Sequence, residues 1–191
     1  MRVLSTLLAA AACAVTLTSG ASAYEIDPLT RLPLMPAGAA VPQATAIPRE
    51  LVNFEGRYAP GTIVVSTPER RLYYVLGNGQ AVRYAVGVGR PGFTWAGVKN
   101  VTMKREWPDW TPPAEMRKRR PDLPRHMKGG LDNPLGARAM YIGGTLYRIH
   151  GSNEPETIGQ AVSSGCIRML NEDVVDLYER VKVGSRVVVQ R

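Results

Sequence analysis

The sequence predicts a mainly β, sandwich-like domain with one packed α-helix near its C-terminus and a long capping loop. Three observations predict it. Short β-branched runs recur at hairpin spacing from Gly61 onward, glycine-containing turns separate them, and one stretch after Asn171 carries apolar residues at helical spacing. The chain has 191 residues, of which 45% are apolar, the make-up of one globular domain with tails.

The N-terminus reads as a secretory signal over residues 1–23. Arg2 supplies the positive end, Val3 to Leu17 is apolar or small, and Ala21-Ser22-Ala23 is a cleavage site. A short hydrophobic helix of the mature fold is the alternative. Cys13 also raises a lipoprotein signal, but Ala10 stands where such signals usually carry Leu or Val. Cleavage after Ala23 removes Cys13 and leaves Cys166 as the sole cysteine. In an oxidising, exported setting that thiol is intermolecular, reactive, or buried and inert. After the signal, no run is long and apolar enough to span a bilayer.

The formal charge is +8, from 24 basic and 16 acidic residues. Such an excess suits an anionic surface such as cell wall or lipid, and export disfavours nucleic acid as the partner. Residues 24–60 hold six prolines with no periodicity to support a helix, and read as an extended linker ahead of a domain at 61–190.

Within that domain, Thr62–Ser66 is a β-branched strand. Arg71–Leu76 and Ala81–Val86 flank Gly77-Asn78-Gly79, a hairpin turn by its Asn-Gly pair. Val98–Met103 is a further strand. The segment 104–128 interleaves Trp107, Trp110 and five prolines with eight basic residues. It is longer than an ordinary connection, and reads either as a functional flap or as a solvated loop with a short helix near Ala114–Arg120. His126 lies in it, as a surface histidine. Ala139–Ile142 and Thr145–Ile149 form a second hairpin about Gly143-Gly144. Asn171 is placed as the helix N-cap, with Glu172 and Asp173 at the positive end of the helix dipole. Val174, Leu177, Tyr178 and Val181 form the core face. Gly184 stops the helix, and Arg186–Gln190 closes the domain. Two histidines twenty-four residues apart and one cysteine make no zinc shell, so neither metal nor cofactor is expected.

The chemistry lies between Tyr147 and Leu170. His150 ends a strand, and Cys166 follows sixteen positions later at a Ser164-Gly165-Cys166 turn. An imidazole beside a thiol favours thiolate and returns the proton to a leaving group. Gly165 lets backbone approach a substrate carbonyl, so the amides around Gly165 and Cys166 are oxyanion candidates. A backbone carbonyl or Ser152 orients His150. Taken alone, these residues fit a catalytic pair or a structural one.

The runs Ile149–Asn153, Ile158-Gly159 and Ser163–Met169 resemble the signature of the L,D-transpeptidase catalytic domain, also called the YkuD or ErfK/YbiS family. The resemblance extends to Asn133–Gly136, Asn171–Asp173 and Val183-Gly184, and so covers about residues 61–190. Two departures stand out. Ser164 occupies a place where many members have histidine, and Thr94-Trp95-Ala96-Gly97 replaces a common Thr-Pro-x-Gly.

The resemblance implies an L,D-transpeptidase-like β-sandwich that performs acyl transfer on peptidoglycan stem peptides in the periplasm or cell envelope, in the service of wall construction and cell shape. Cys166 would be the nucleophile and His150 the general base and acid. Cys166 would attack the meso-diaminopimelate carbonyl of a donor tetrapeptide, D-Ala would leave, and an amine of another stem or of an envelope protein would resolve the thioester. Arg168 is a candidate for a substrate carboxylate, or for a structural ion pair with Glu172 or Asp173. Ser163 bonds substrate or its own turn, and Gly151 and Ser152 complete the candidate substrate contacts. Two alternatives stand: a carboxypeptidase or cross-link hydrolase with water as acceptor, and a non-catalytic wall-binding module.

Overall fold

The computed structural model describes residues 48–191, together with two short strands, β1 (Glu25–Ile26) and β2 (Pro33–Leu34), which pair antiparallel. The expected secretory signal at 1–23 and most of the expected linker lie outside the described residues. Among the described residues, no helix is long and apolar enough to cross a membrane.

The body is mainly β. Its strands are β3 (Glu50–Asn53), β4 (Ile63–Ser66), β5 (Arg71–Gly77), β6 (Gln80–Ala85), β7 (Val88–Gly89), β8 (Gly97–Glu106), β9 (Arg138–Ile142), β10 (Arg148–His150), β11 (Ala161–Ser163), β12 (Ile167–Arg168) and β13 (Arg186–Gln190). The helices are α1 (Ala114–Arg119) and α2 (Asn171–Arg180). A nine-stranded ladder runs β12-β10-β9-β8-β13-β4-β5-β6-β3, and β7 and β11 form a separate parallel pair.

One long strand joins the two halves of the ladder. The first residues of β8 pair with β13, its later ones with β9, and the register shifts between Val101 and Met103. Such an irregularity bends a strand. Residues from both halves then meet in one buried cluster, with Ile63, Val65 and Leu72 on one side and Met140, Ile142, Ile149 and Ile167 on the other. The expected sandwich is therefore two parts of one continuous ladder.

Strand β13 lies between an antiparallel and a parallel neighbour, with Val187 opposite Ile63. It is covered on both faces, which explains its unbroken Val187-Val188-Val189 run. The outer cover comes from the stretch expected to be linker. Phe54 and Tyr58 pack with Tyr73 over Val64, Val75 and Val188, and β3 adds an edge strand to β6. Packed structure thus starts ahead of residue 61, because Leu51 and Val52 complete the β6 edge while the aromatic rings cover apolar surface.

The β5–β6 turn is as expected, with positive φ at both Asn78 (51°) and Gly79 (70°). The second hairpin differs from expectation. Thr145 belongs to the turn, where its hydroxyl donates to Ile142 O at 2.8 Å and accepts from Tyr147 N–H at 3.0 Å. Helix α2 buries Val174 and Leu177 against the core. Its N-cap is Leu170, which makes no side-chain capping bond, so Asn171 is not the cap. Its amide is engaged at the site instead.

The 104–128 segment is shorter as a loop than expected, because β8 continues through Glu106. Lys104 belongs to the fold: its ammonium donates to the carbonyls of Tyr178 (2.5 Å) and Val181 (2.6 Å) at the α2 C-terminus. The loop base is tied by reciprocal Trp110–Met127 backbone bonds of 2.8 Å. The Asn133 amide gathers the carbonyls of Pro108, Met127 and Lys128.

Candidate active site

A parallel pairing brings His150 and Cys166 to one face of the sheet. Strand β10 runs beside β12 with Ile149 opposite Ile167 and His150 opposite Arg168. Cys166 immediately precedes β12, at the level of Arg148. Alternation along a strand puts Arg148 and His150 on one face and buries Ile149 on the other. The two residues that the sequence separates by sixteen positions therefore lie on one face of the β10–β12 pairing, two rungs apart.

His150 is buried. Its Nδ1 lies 2.6 Å from the carbonyl of Gly151. A carbonyl only accepts, so Nδ1 carries the proton and Nε2 presents a lone pair. Burial pushes the imidazole pKa down to about 3 against the help of the Gly151 carbonyl, and the charges of Arg168 and Arg148 push the same way. Of the two expected orienting groups, the carbonyl holds the ring. Ser152 is buried and its hydroxyl accepts from Glu154 N–H at 3.0 Å.

The Gly151 position is fixed from behind. Asn171 Oδ1 accepts from Ala137 N–H at 2.9 Å, and its Nδ2 donates to Ser152 O at 3.1 Å. A side chain at Gly151 or Gly136 would collide with that same Asn171 oxygen. Gly151 is thus a close-packing position beneath the histidine.

Cys166 is a half-buried free thiol whose Sγ lies 3.9 Å from Leu146 O. Burial raises its pKa, and Arg148 and Arg168 oppose the rise. Thiol and imidazole are accordingly both neutral at rest. The turn before the cysteine is rigid. Ser163 is buried, donates its hydroxyl to Cys166 O at 2.7 Å and accepts from Gly165 N–H at 3.1 Å. Ser163 therefore bonds within its own turn. The Gly165 amide, an oxyanion candidate from sequence, is already engaged. The Cys166 N–H makes no hydrogen bond among the described residues.

Arg168 also differs from its expected roles. Its guanidinium bonds Glu154 Oε2 at 2.6 Å and Thr157 Oγ1 at 3.3 Å, so it braces the loop between β10 and β11. Neither Glu172 nor Asp173 is the partner. Asp173 is buried and pairs with Arg49 at 3.2 Å.

Three residues that sequence reasoning missed shape the turn. Trp95 stacks on Tyr147, with centroids 5.0 Å apart and planes 6° apart, and donates to Gly165 O at 3.0 Å. Arg90 lies over the Phe93 ring and donates to Ser164 Oγ at 3.2 Å. Ser164, where a second histidine is common, is thus held by a cation. The only sequence signal was the Thr94–Gly97 departure itself.

A thiol and an imidazole on one face of a parallel pairing, set in a mainly β domain, have the make-up of a cysteine acyl-transfer site. Residues 60–189 match the model of the L,D-transpeptidase catalytic domain (YkuD), and the chain belongs to that family. It is 42% identical over 134 residues to the probable L,D-transpeptidase ErfK/SrfK of Escherichia coli K12, spanning 65% of this chain and 42% of that protein. To the probable L,D-transpeptidase YbiS of the same strain it is 41% identical over 134 residues, spanning 65% of this chain and 43% of that protein. The chain thus spans about two fifths of the curated relatives it matches. The NMR structure of the catalytic domain of the Enterococcus faecium L,D-transpeptidase superposes with a TM-score of 0.54 at 23% identity, covering 71% of this chain and all of that one.

Proposed function

We propose that this protein is an exported peptidoglycan L,D-transpeptidase that uses Cys166 as nucleophile and His150 as general base. The observation that carries this reading is the Nδ1 bond to Gly151 O at 2.6 Å. It leaves Nε2 unprotonated, on a ring kept neutral by burial, on the face of the β10–β12 pairing that also carries the cysteine.

The reaction follows from that state. Sγ attacks the carbonyl carbon of the third stem residue, meso-diaminopimelate, while its proton passes to His150 Nε2. The carbonyl π electrons move to oxygen, and the Cys166 N–H, left open by the turn, donates to that oxyanion; one such donor contributes about 3 kcal/mol. The C–N bond to D-Ala breaks, and His150 returns the proton to the leaving amine. The thioester remains. An amine of a second stem, or of an envelope protein, then gives its proton to His150 as nitrogen attacks. Sulfur leaves and regains a proton, and a 3→3 cross-link or a protein–wall amide is formed.

Burial and two neighbouring guanidiniums make an imidazolium costly, so the proton resides on His150 only transiently. The 104–128 loop caps the cleft and slows hydrolysis of the thioester. The signal at 1–23 delivers the domain to the envelope, where its basic surface favours an anionic wall.

Purified protein incubated with disaccharide-tetrapeptide tests this reading by mass. Loss of D-Ala together with a cross-linked dimer is the expected result. Disaccharide-tripeptide without dimer would establish water as the acceptor and overturn the transferase reading. With Cys166→Ala no product forms.

A further inference from the structure

Two guanidiniums flank the imidazole and the thiol, and only one of them is engaged. Arg168 is held by Glu154 and Thr157. Among the described residues Arg148 has no carboxylate partner. Its Nε is also buried without a hydrogen bond. Arg83 and Arg138 have a bare Nε as well, but each pairs with a carboxylate, Glu50 or Glu106. A buried unmatched donor costs about 1–3 kcal/mol, and a group kept so is a candidate for work in the reaction.

The place of Arg148 says which work. Its rung partner on β9 is Tyr141, and its guanidinium lies over that ring at 5.1 Å. The stack limits the freedom of a long side chain. On the other side, Cys166 stands at the same level as Arg148 across the β10–β12 pairing. Arg148 favours the charged form of the thiol through both its backbone N–H and its guanidinium. The opposite contact of the sulfur is the carbonyl of Leu146 at 3.9 Å, which suits S–H and repels S⁻.

We propose that Arg148 is a catalytic residue whose guanidinium takes over the sulfur of Cys166 as the thiol gives its proton to His150. The S–H bond breaks, its electron pair stays on sulfur, and the proton moves to Nε2. The S–H···O contact to Leu146 is lost, and N–H···S⁻ contacts to Arg148 replace it. When sulfur bonds the substrate carbonyl its charge passes to oxygen, and Arg148 is released. The same exchange runs in reverse as the thioester collapses. This assignment rests on Cys166 being the nucleophile.

The test reads thiol chemistry without peptidoglycan. The full chain carrying Cys13→Ser, so that Cys166 is its sole thiol, is purified as such and with Arg148→Lys, Arg148→Gln, Arg148→Met or Cys166→Ala added; each is alkylated with iodoacetamide from pH 5 to 10, and the adduct rate is followed by mass. In Arg148→Gln the midpoint of the rate profile moves up by about one pH unit, as expected when a cation beside a thiolate is removed. Arg148→Lys stays near wild type. Acylation by a carbapenem at pH 7 falls about tenfold in Arg148→Gln, in line with that shift. Midpoints of Gln and wild type that coincide overturn the proposal, as does a Lys variant shifted as far as Gln. Thermal melts establish that each variant folds, and Arg148→Met carries the same comparison if Gln does not. Unchanged carbapenem acylation of Cys166→Ala would instead sink the nucleophile assignment, which separates the two failures.

Discussion

Trp95 donates its indole N–H to the carbonyl of Gly165, 3.0 Å away, while its ring stacks on Tyr147. The residue before Cys166 is thereby held in place, and Gly165 itself adopts φ of 109°. A Cβ there would collide with the Tyr147 ring, so both backbone and packing demand glycine.

Gly165→Ala is expected to reduce carbapenem acylation of Cys166 by about a hundredfold or more and to lower the melting temperature, because the turn must shift to relieve the collision. Trp95→Phe keeps the stack and loses only the hydrogen bond. It should cost about 1 kcal/mol of stability and reduce acylation less than Gly165→Ala does. Equal effects would show that the Trp95 hydrogen bond to Gly165, and not the fit of Gly165 against Tyr147, controls the site.

His150 sets a pH dependence with a definite sign. Its folded pKa lies at about 3, below the unfolded value of 6.5, so between these values the unfolded chain binds the extra proton. The contribution of His150 is fully present above pH 6.5 and is lost as pH falls toward 3. Asp173 acts oppositely. Burial first, and the neighbouring carboxylates Glu172 and Asp176 with it, raise its pKa from 3.8 to about 6 against Arg49. That group therefore favours the fold more as pH falls from 6 to 4. His150→Gln removes the histidine contribution alone. Its unfolding free energy should gain on wild type as pH drops below 6.5, by at most about 1.4 kcal/mol per pH unit. Parallel denaturant curves at pH 7, 6, 5 and 4 check this, and a constant difference would refute the buried neutral histidine.

Arg168→Ala should act through the loop that it braces. The Glu154 and Thr157 bonds are lost, so amide hydrogen exchange at residues 154–160 should rise. The pair is partly exposed, and the stability cost should stay near 1 kcal/mol. A raised KM for the donor peptide with unchanged exchange would restore the direct substrate role expected from sequence.

The N-terminal arm is predicted to be part of the folding unit. Arg49→Ala leaves Asp173 buried without its cation, and should destabilise the protein by about 1–2 kcal/mol at pH 7. The penalty should shrink as pH falls below 6 and Asp173 takes up a proton. A chain beginning at residue 60 should melt lower still, since it also lacks β3 and the Phe54 and Tyr58 cover. Equal melting temperatures for the two lengths would refute the role of the arm.

Much of the fold was legible because its signals are local. Asn78-Gly79 needs positive φ at both positions, and that requirement is written in the residue types. The Val174/Leu177 spacing showed the buried face of α2 in the same way. Asn171 was misread for the opposite reason. An asparagine before a helix has the chemistry of a cap, but Gly136 and Gly151 leave room for its amide to tie two distant loops together. The edge strand β3 was missed because a strand that pairs by backbone bonds along one edge needs little pattern in its side chains.

By itself the sequence determined the pair proposed to react and the chemistry open to it, since a thiol and an imidazole keep their reactivity wherever the chain carries them. Only the tertiary structure decided their state and their company. Burial made the imidazole neutral, a carbonyl chose its tautomer, Glu154 drew Arg168 aside, and the β10–β12 register set Arg148 beside the sulfur. These are properties of distance and desolvation between segments far apart in the chain, and no short stretch of residues encodes them.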